Sequence, residues 1–596
     1  MLKTEIKFRN GKPFVSVGGK LHAPVAYTTY FEERGNFAEF INCGFRMFFI
    51  NISFTDLPIN NNTGFTPFRT GVFENDAPDY SEFEHHVHRI LAMCPDALIF
   101  PRINVAMPRK WLESHPEETV TTPKGGNRES LCSSAFLEDG AKLLEEMIAH
   151  FRASDYAHAV AGYQICGGIT QEWMHHDCFG SYCDMTLRKF TEWMKEKYGK
   201  DNITLPERAD FDTRIFNEIT SRFGEFCNET ASKTVEHFAK KTKEFINNEQ
   251  IVGVFYGYSA FVTDYMQGLH GLHNIIDSPY IDFFSSPCAY DANRNLGADW
   301  GDMIPVDSVK LHGKMNFIEC DIRTHLTRSM HEGRPGECPE EFYHLTDQNG
   351  NKTVWCGPES TDLSLSAIRK AFAHQLTKGS GMWWFDMWGG WYNDEKILAD
   401  FKKIKLIAEE SENKNTNLFP KAETVLFIDE KAYGNLARFT PPVSSVTNIR
   451  VAMGNTGIPF DMYLTQDAEK VLYKYKAAIF TAPAPSESGK KALALCKQMN
   501  IPYISATTEK YIFPTDELRE TLKELGIHCY NNQKCVTYVG GGFVALHSIE
   551  DGEVTINLPE KFTVRPLLGD GFSECKTDTI TLTMQKHHTA LFELFI

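Results

Sequence analysis

One repeated alternation constrains this chain more than any other feature. Eight short apolar runs are separated by longer amphipathic stretches across the first two-thirds of the sequence. The runs cover residues 22–30, 45–52, 97–105, 160–166, 251–258, 281–287, 315–322 and 381–388. Each is apolar almost throughout, not at every second residue. That is the pattern of a strand covered on both faces, and such strands belong to parallel sheets. The stretches 137–151, 186–198, 216–247 and 364–377 carry helix periodicity. Eight strand–helix units in about 400 residues predict an enlarged (β/α)8 TIM barrel, with long loops after strands two, three and seven. Loops of that length on the catalytic face build substrate clefts.

The alternation then breaks. Residues 409–417 are polar and turn-rich, and Pro420 follows. A chain of 596 residues is too long for one core. The predicted division is a barrel over 1–412, a doubly wound α/β domain over 420–530 and a small antiparallel β domain over 531–596. The middle segment has strand-like runs at 424–429, 459–464, 477–481 and 501–505. No glycine-rich phosphate loop follows the first of them, which argues against nucleotide binding. From Lys534 the pattern changes to short alternating runs at 536–539, 542–547, 553–557 and 579–583.

A net charge of −17, spread along the chain, argues against a nucleic-acid or anionic-membrane partner. The N-terminus has no apolar core of a secretory signal, and no stretch reaches the ~18 apolar residues of a membrane span. The expected location is cytoplasmic. Fifteen cysteines, an odd number scattered singly, then read as reduced thiols. Cys178 and Cys183, near His175 and His176, raise a zinc site as one reading. No CxxC pair supports it, so buried thiols are preferred, and no metal or cofactor is expected.

Two acids stand out. Glu172 and Glu319 lie just beyond or within the ends of runs four and seven. The C-terminal strand ends of a (β/α)8 barrel share one face, where its active sites form. Two carboxyl groups about 5 Å apart cleave a glycosidic bond with retention, one as nucleophile and one as acid/base. A lone strand-end glutamate is more often a surface or salt-bridged residue; it is the joint placement that favours catalysis. Glu172 follows a Gly-Gly turn, and an apolar neighbour such as Trp173 suits a protonated acid. Glu319 stands beside Asp321, Arg323 and His325, and an inward Arg323 holds it ionised in this reading. Glu172 is therefore assigned as acid/base and Glu319 as nucleophile.

Other residues are cleft candidates. Alternation places Trp384, Asp386 and Trp388 on one face of strand eight, and Trp383, Phe385 and Met387 on the other. Asp386 beside two tryptophans favours the first set as a sugar-stacking floor, with a packed core stripe as the competing reading. Arg102 interrupts a buried strand and must pair, with Glu319, with substrate or within a structural ion pair. Tyr258, Tyr290, His175, His176 and His325 complete the set.

The chain resembles the clan of retaining glycosidases whose catalytic glutamates follow strands four and seven. Closest in texture are the family 42 β-galactosidases, on Gly162-Tyr-Gln-Ile, Tyr182-Cys183 and Phe190-Thr-Glu-Trp-Met-Lys-Glu-Lys-Tyr-Gly199. The three-part layout is similar too, and implies that the middle domain is flavodoxin-like and mediates trimerisation. There is one departure: Cys166-Gly167-Gly168 stands where that family carries Asn-Glu. Gly-Gly-x-Thr-x-Glu-Trp and Glu-x-Asp-x-Arg-Thr-His look more like the family 164 β-mannosidases. The resemblance implies a retaining exo-β-glycosidase acting on a terminal β-mannoside or β-galactoside, tipping toward β-mannoside, with a small carbohydrate as its partner. A transglycosylase or phosphorylase on the same barrel, and a sugar-binding barrel without catalysis, are the alternatives.

Overall fold

The computed structural model describes residues 2–61, 63–122, 124–176, 182–290, 294, 296–338, 344–414, 419–531 and 535–596. Eight parallel strands close into a barrel in which each strand pairs with its neighbours in sequence. They are Val25–Thr28, Met47–Ser53, Leu98–Asn104, Gly162–Cys166, Ile251–Phe255, Phe283–Ser285, Met315–Cys320 and Gly381–Phe385. Each coincides with one of the eight apolar runs. Every residue in them is buried, which is why the runs show no alternation.

Facing is decided by packing inside the barrel. Phe49, Phe100, Phe283, Phe317 and Trp383 fill its lower interior. Phe49 stacks on Phe100 at 4.8 Å and on Trp383 at 4.8 Å, and Phe317 meets Trp383 at 5.2 Å. Strand five makes room with a glycine: a Cβ on Gly253 would lie 1.9 Å from the Phe283 ring. Side chains alternate along a strand, so the residues two positions further on also face inward. Those are Arg102 after Phe100, Glu319 after Phe317 and Phe385 after Trp383. The aromatic layer thus carries a charged layer directly above it, toward the C-terminal strand ends.

The opposite end is closed. An unpredicted antiparallel sheet of Thr4–Arg9, Lys12–Val17 and Lys20–His22 lies there. Thr4 Oγ1 donates to the Ala161 carbonyl at 2.6 Å and accepts from the Ile251 amide at 3.0 Å. This seals the starts of strands four and five and leaves the C-terminal face as the open end.

Two further sheets follow. The first is parallel, in the order Phe460–Leu464, Thr424–Ile428, Ala477–Phe480, Tyr503–Ser505. That is the order 2-1-3-4 of flavodoxin-like folds. It is tied to the barrel by Asp307, whose Oδ2 accepts from the Met462 amide at 2.8 Å. The last sheet has five antiparallel strands: Cys535–Gly540, Phe543–Ser548, Thr589–Phe595, Gly552–Leu568 and Cys575–Met584. Its central strand, Thr589–Phe595, was not among the predicted runs. Residues 415–417 of the predicted break, and Lys534, lie outside the described residues. Among the described residues no helix is long and apolar enough to cross a membrane.

Candidate active site

Glu319 is the fifth residue of strand seven and is 4 % exposed. Its amide donates to the Ser286 carbonyl at 2.8 Å, which fixes it against the end of strand six. Arg102, on strand three, reaches across the barrel interior. Its Nη1 lies 3.7 Å from Glu319 Oε2, and both side chains are almost fully buried. The guanidinium is sandwiched among rings, 4.7 Å from Phe255, 5.3 Å from Tyr30 and 5.7 Å from Phe385.

Glu172 arrives by a less regular route. Strand four ends at Cys166, and residues 167–174 fold back in a tight loop. The Ile169 amide donates to the Met174 carbonyl at 3.0 Å, and the Trp173 amide to the Gly167 carbonyl at 2.7 Å. Thr170, Gln171 and Trp173 all have left-handed backbones, with φ of 55°, 68° and 61°. Gly168 at φ 65° leaves no room for a side chain, since a Cβ would lie 2.4 Å from the Met174 carbonyl oxygen. Left-handed geometry costs a non-glycine residue roughly 1–2 kcal/mol, so this loop carries roughly 3–6 kcal/mol of local strain. Burial of the Trp173 indole offsets it. Strain of this kind concentrates at functional sites.

The fold-back delivers Glu172 to Tyr258, at the mouth of strand five. The phenol donates to Oε1 at 3.0 Å, and Thr170 Oγ1 donates to Oε2. Burial raises the Glu172 pKa; the Thr170 and Tyr258 hydrogen bonds and the Arg102 charge pull it back, and Asp321 pushes it up. Burial likewise pushes Glu319 up to about 8. There Arg102 acts against it, Asp321 and Glu172 act with it, and Arg294 acts against it. The charge of Glu172 thus adds to the upward shift of Glu319. Arg102 cannot lose its proton, and it stands within ion-pair distance of Glu319, whereas Glu172 has hydrogen-bond donors as its neighbours. Arg102 therefore favours the ionised form of Glu319, while the two donors orient the Glu172 carboxyl.

The remaining predicted residues divide. Tyr258 and Tyr290 are at the site: Tyr290 stacks under Arg294 at 3.5 Å, and both tyrosines feel the two glutamates. Trp388 packs with Tyr30 at 6.3 Å, Phe65 at 5.4 Å and Trp355 at 6.2 Å in the aromatic wall of the mouth. Arg323 is at the mouth but does not hold Glu319. Its Nη1 donates to Asp321 Oδ2 at 2.8 Å, and Arg102 takes the place expected for it.

Six residues are corrected. Trp173 is fully buried; its Nε1 donates to the Ile165 carbonyl at 3.1 Å and its ring stacks on Phe238, so it anchors the loop and does not face the cleft. His175 turns to the long helix Glu218–Phe245, where Nε2 meets the Cys227 carbonyl at 2.9 Å, and burial pushes it down to about 4. His325 faces the start of the helix Thr361–Lys378, bonding Ser364 and Thr361. Trp384 points outward against Phe401, at 4.8 Å, because strand eight turns Trp383 and Phe385 inward. Asp386 is satisfied by Tyr27 and by the Gly390 and Trp391 amides, so it braces the loop after strand eight. His176 also turns away, toward Glu129.

Sequence reading missed Tyr30, Cys166, Asp321 and Arg294 as site residues. Buried Cys166 feels Arg102 and both glutamates, and Asp321 is the next inward position after Glu319. Period-two counting from Arg102 and Glu319 was the available signal for Asp321. Arg294 lies in a long loop and left none. Among the described residues no group of three or more His, Cys, Asp or Glu is placed to hold a metal; Cys178 lies outside them.

Residues 78–290 match the sequence profile of the glycoside hydrolase family 42 described as "Beta-galactosidase". The segment includes Glu172 and ends before Glu319. No curated protein sequence matches the chain. Among solved structures it is similar to a β-galactosidase from Rahnella sp. R3, with 9% identity, 96% of this chain and 98% of that one covered, and a TM-score of 0.61. It is similar to Gan42B, a family 42 β-galactosidase from G. stearothermophilus, with 9% identity, full coverage of both chains and a TM-score of 0.60. It is also similar to a family 42 exo-carrageenase from Bacteroides ovatus, with 10% identity, 100% of this chain and 84% of that one covered, and a TM-score of 0.59. At these identities the structures establish the shared fold. Together with the profile they support a (β/α)8 glycoside hydrolase.

Proposed function

We propose that the chain is a retaining exo-β-glycosidase, with Glu319 as nucleophile and Glu172 as acid/base. The observation that carries this reading is the convergence of both carboxyls on one barrel mouth, from strands four and seven; among the described residues the one cation in ion-pair contact with either of them is Arg102, beside Glu319. In the first step Glu319 attacks the anomeric carbon, while Glu172 gives its proton to the departing oxygen. In the second step Glu172 takes a proton from water, and that water displaces Glu319 from the sugar. Tyr258 and Thr170 orient the Glu172 carboxyl through both steps. Arg102 compensates the charge on Glu319 in the free site.

The sugar is a β-galactoside or a β-mannoside. The family 42 profile supports the first. Cys166-Gly167-Gly168 in place of Asn-Glu supports the second. A panel of nitrophenyl β-glycosides, including galactoside, mannoside, glucoside, fucoside and glucuronide, tests the reading. Turnover of at least one, lost in both Glu172→Ala and Glu319→Ala, is the expected result. Full activity in both variants overturns the assignment. The family resemblance extends the proposal to a homotrimer acting in the cytoplasm, and mass measurement in solution checks the first part.

A further inference from the structure

Beside Glu319 the barrel mouth opens into a cavity of about 680 Å³, with Tyr290, Arg294, Asp321, Arg323, Lys352 and His587 in its walls. Its floor holds an uneven charge balance. Asp321 is buried and pairs with two arginines: its Oδ2 accepts from Arg323 Nη1 at 2.8 Å, and its Oδ1 forms an ion pair with Arg294 Nη1. One carboxylate thus serves two guanidiniums, which leaves one positive charge over. Both arginine side chains are only 6 % exposed. At the rim Lys352 and Glu359 form a pair of their own. Burial lowers the His587 pKa, so that ring adds no charge at neutral pH.

The arginines also hold unused donors. Among the described residues, Arg294 Nε, Arg323 Nε and Arg323 Nη2 are buried without a hydrogen-bond partner. Each guanidinium is fixed by its face, Arg294 at 3.5 Å over Tyr290 and Arg323 at 4.6 Å over Trp355. Stacking uses the faces and leaves the N–H edges for an acceptor. Buried charged donors without a partner are costly, and an oxyanion with paired oxygens is the acceptor that satisfies both the charge and the fork geometry. A sugar hydroxyl offers a single oxygen, not a pair matched to the fork, and cancels no charge.

We infer that this cavity is a subsite for an anionic group carried by the sugar, a carboxylate or a sulfate ester, held between Arg294 and Arg323. The inference deepens the glycosidase reading and rests on it for the ligand being a sugar. Asp321 is the next inward residue after Glu319, so a substituent of a sugar held at Glu319 falls within the reach of this floor. Asp321 acts as the positioning residue between the two forks.

Calorimetric titration of the wild-type chain with galactose, galactose 6-sulfate, galacturonate and glucuronate tests it. The expected result is that an anionic sugar binds at least roughly tenfold tighter than galactose, as charge-assisted paired hydrogen bonds require. The sulfate and uronate arms distinguish the two oxyanions. Arg323→Met and, separately, Arg294→Met should bring the anionic and neutral sugars to similar affinity, with melting curves confirming that each variant folds. Equal or undetectable binding of all four sugars by the wild type overturns the inference. So does a preference that survives in both folded variants. If the preference holds but no nitrophenyl β-glycoside, neutral or anionic, is hydrolysed, the glycosidase reading fails and the subsite stands.

Discussion

Replacing Arg102 by methionine removes the cation that pairs with Glu319, the proposed nucleophile. Methionine keeps much of the length and volume of the side chain and removes the charge. At 3.7 Å, with an effective dielectric of about 20, two unit charges interact by about 4.5 kcal/mol. At 1.36 kcal/mol per pH unit this is roughly 3 pH units on the Glu319 titration. Glu319 must be ionised to attack, so kcat/KM of the wild type rises with pH through its titration. In Arg102→Met that acidic limb should move upward by roughly 3 pH units, and kcat/KM at neutral pH should fall by about a thousandfold. The loss should shrink steadily as the pH is raised. Stability should change little, because a buried ion is removed and Glu319 takes up a proton in response. The assay is a pH series of kcat/KM on the best chromogenic β-glycoside, with melting temperatures measured alongside. A loss of activity that is the same at every pH, or an acidic limb that stays in place, refutes the claim that Arg102 lowers the pKa of Glu319.

Three further outcomes follow from the same geometry. Glu319 binds its proton more tightly in the folded chain than in the unfolded one, its pKa rising from 4.5 to about 8. Its favourable contribution is therefore complete below pH 4.5 and is lost as the pH rises through 8. The melting temperature of Glu319→Gln relative to wild type should accordingly climb across that window, and a flat difference contradicts the buried titration. Tyr258→Phe removes the donor to Glu172 Oε1. It should raise the pKa of the acid, move the basic limb of the kcat profile upward and slow the reaction by roughly tenfold; an unchanged profile means the phenol is only packing. Trp173→Ala should cost about 3–5 kcal/mol in denaturant unfolding, with activity lost beyond what unfolding explains, because the left-handed loop loses its anchor. A fully active, destabilised variant shows that the loop does not depend on the indole.

The strands of this barrel were legible because parallel strands are covered on both faces, so eight apolar runs stand out against amphipathic helices. The same covering hid which face was which. Trp383 and Trp384 are equally buried and equally apolar, and only the aromatic layer of Phe49, Phe317 and Phe283 turns Trp383 inward. The tryptophan floor proposed from alternation was misplaced for that reason, and Asp386 with it. Arg102 was legible for the opposite reason: a permanent charge in a buried strand has to find a partner. Its partner, Glu319, lies across the interior, a distance along the chain that no local pattern encodes. The displacement of Glu172 was visible in Gly167-Gly168. What makes it workable was not, since the left-handed backbone at Thr170, Gln171 and Trp173 depends on Trp173 reaching into the core. His175 and His325 were chosen for their chemistry, and both are occupied by backbone or helix-end partners outside the mouth. Arg294 sits in a loop whose course depends on tertiary contacts, and it emerged only with Asp321 and Tyr290 around it.

The central claim is that Glu319 attacks and Glu172 donates the proton, and azide products test it most directly. Azide is small enough to enter the space left by a truncated carboxyl, and the anomer it forms records which face it attacked. With an activated β-glycoside, Glu319→Ala should be revived by azide and yield the α-glycosyl azide, because azide then takes the place of the nucleophile. Glu172→Ala should yield the β-glycosyl azide, because there Glu319 still forms the covalent intermediate and azide replaces the second-step water. Proton NMR of the two products distinguishes the anomers. Exchange of the two outcomes between the variants, or rescue of neither while the wild type turns over the same glycoside, contradicts the account.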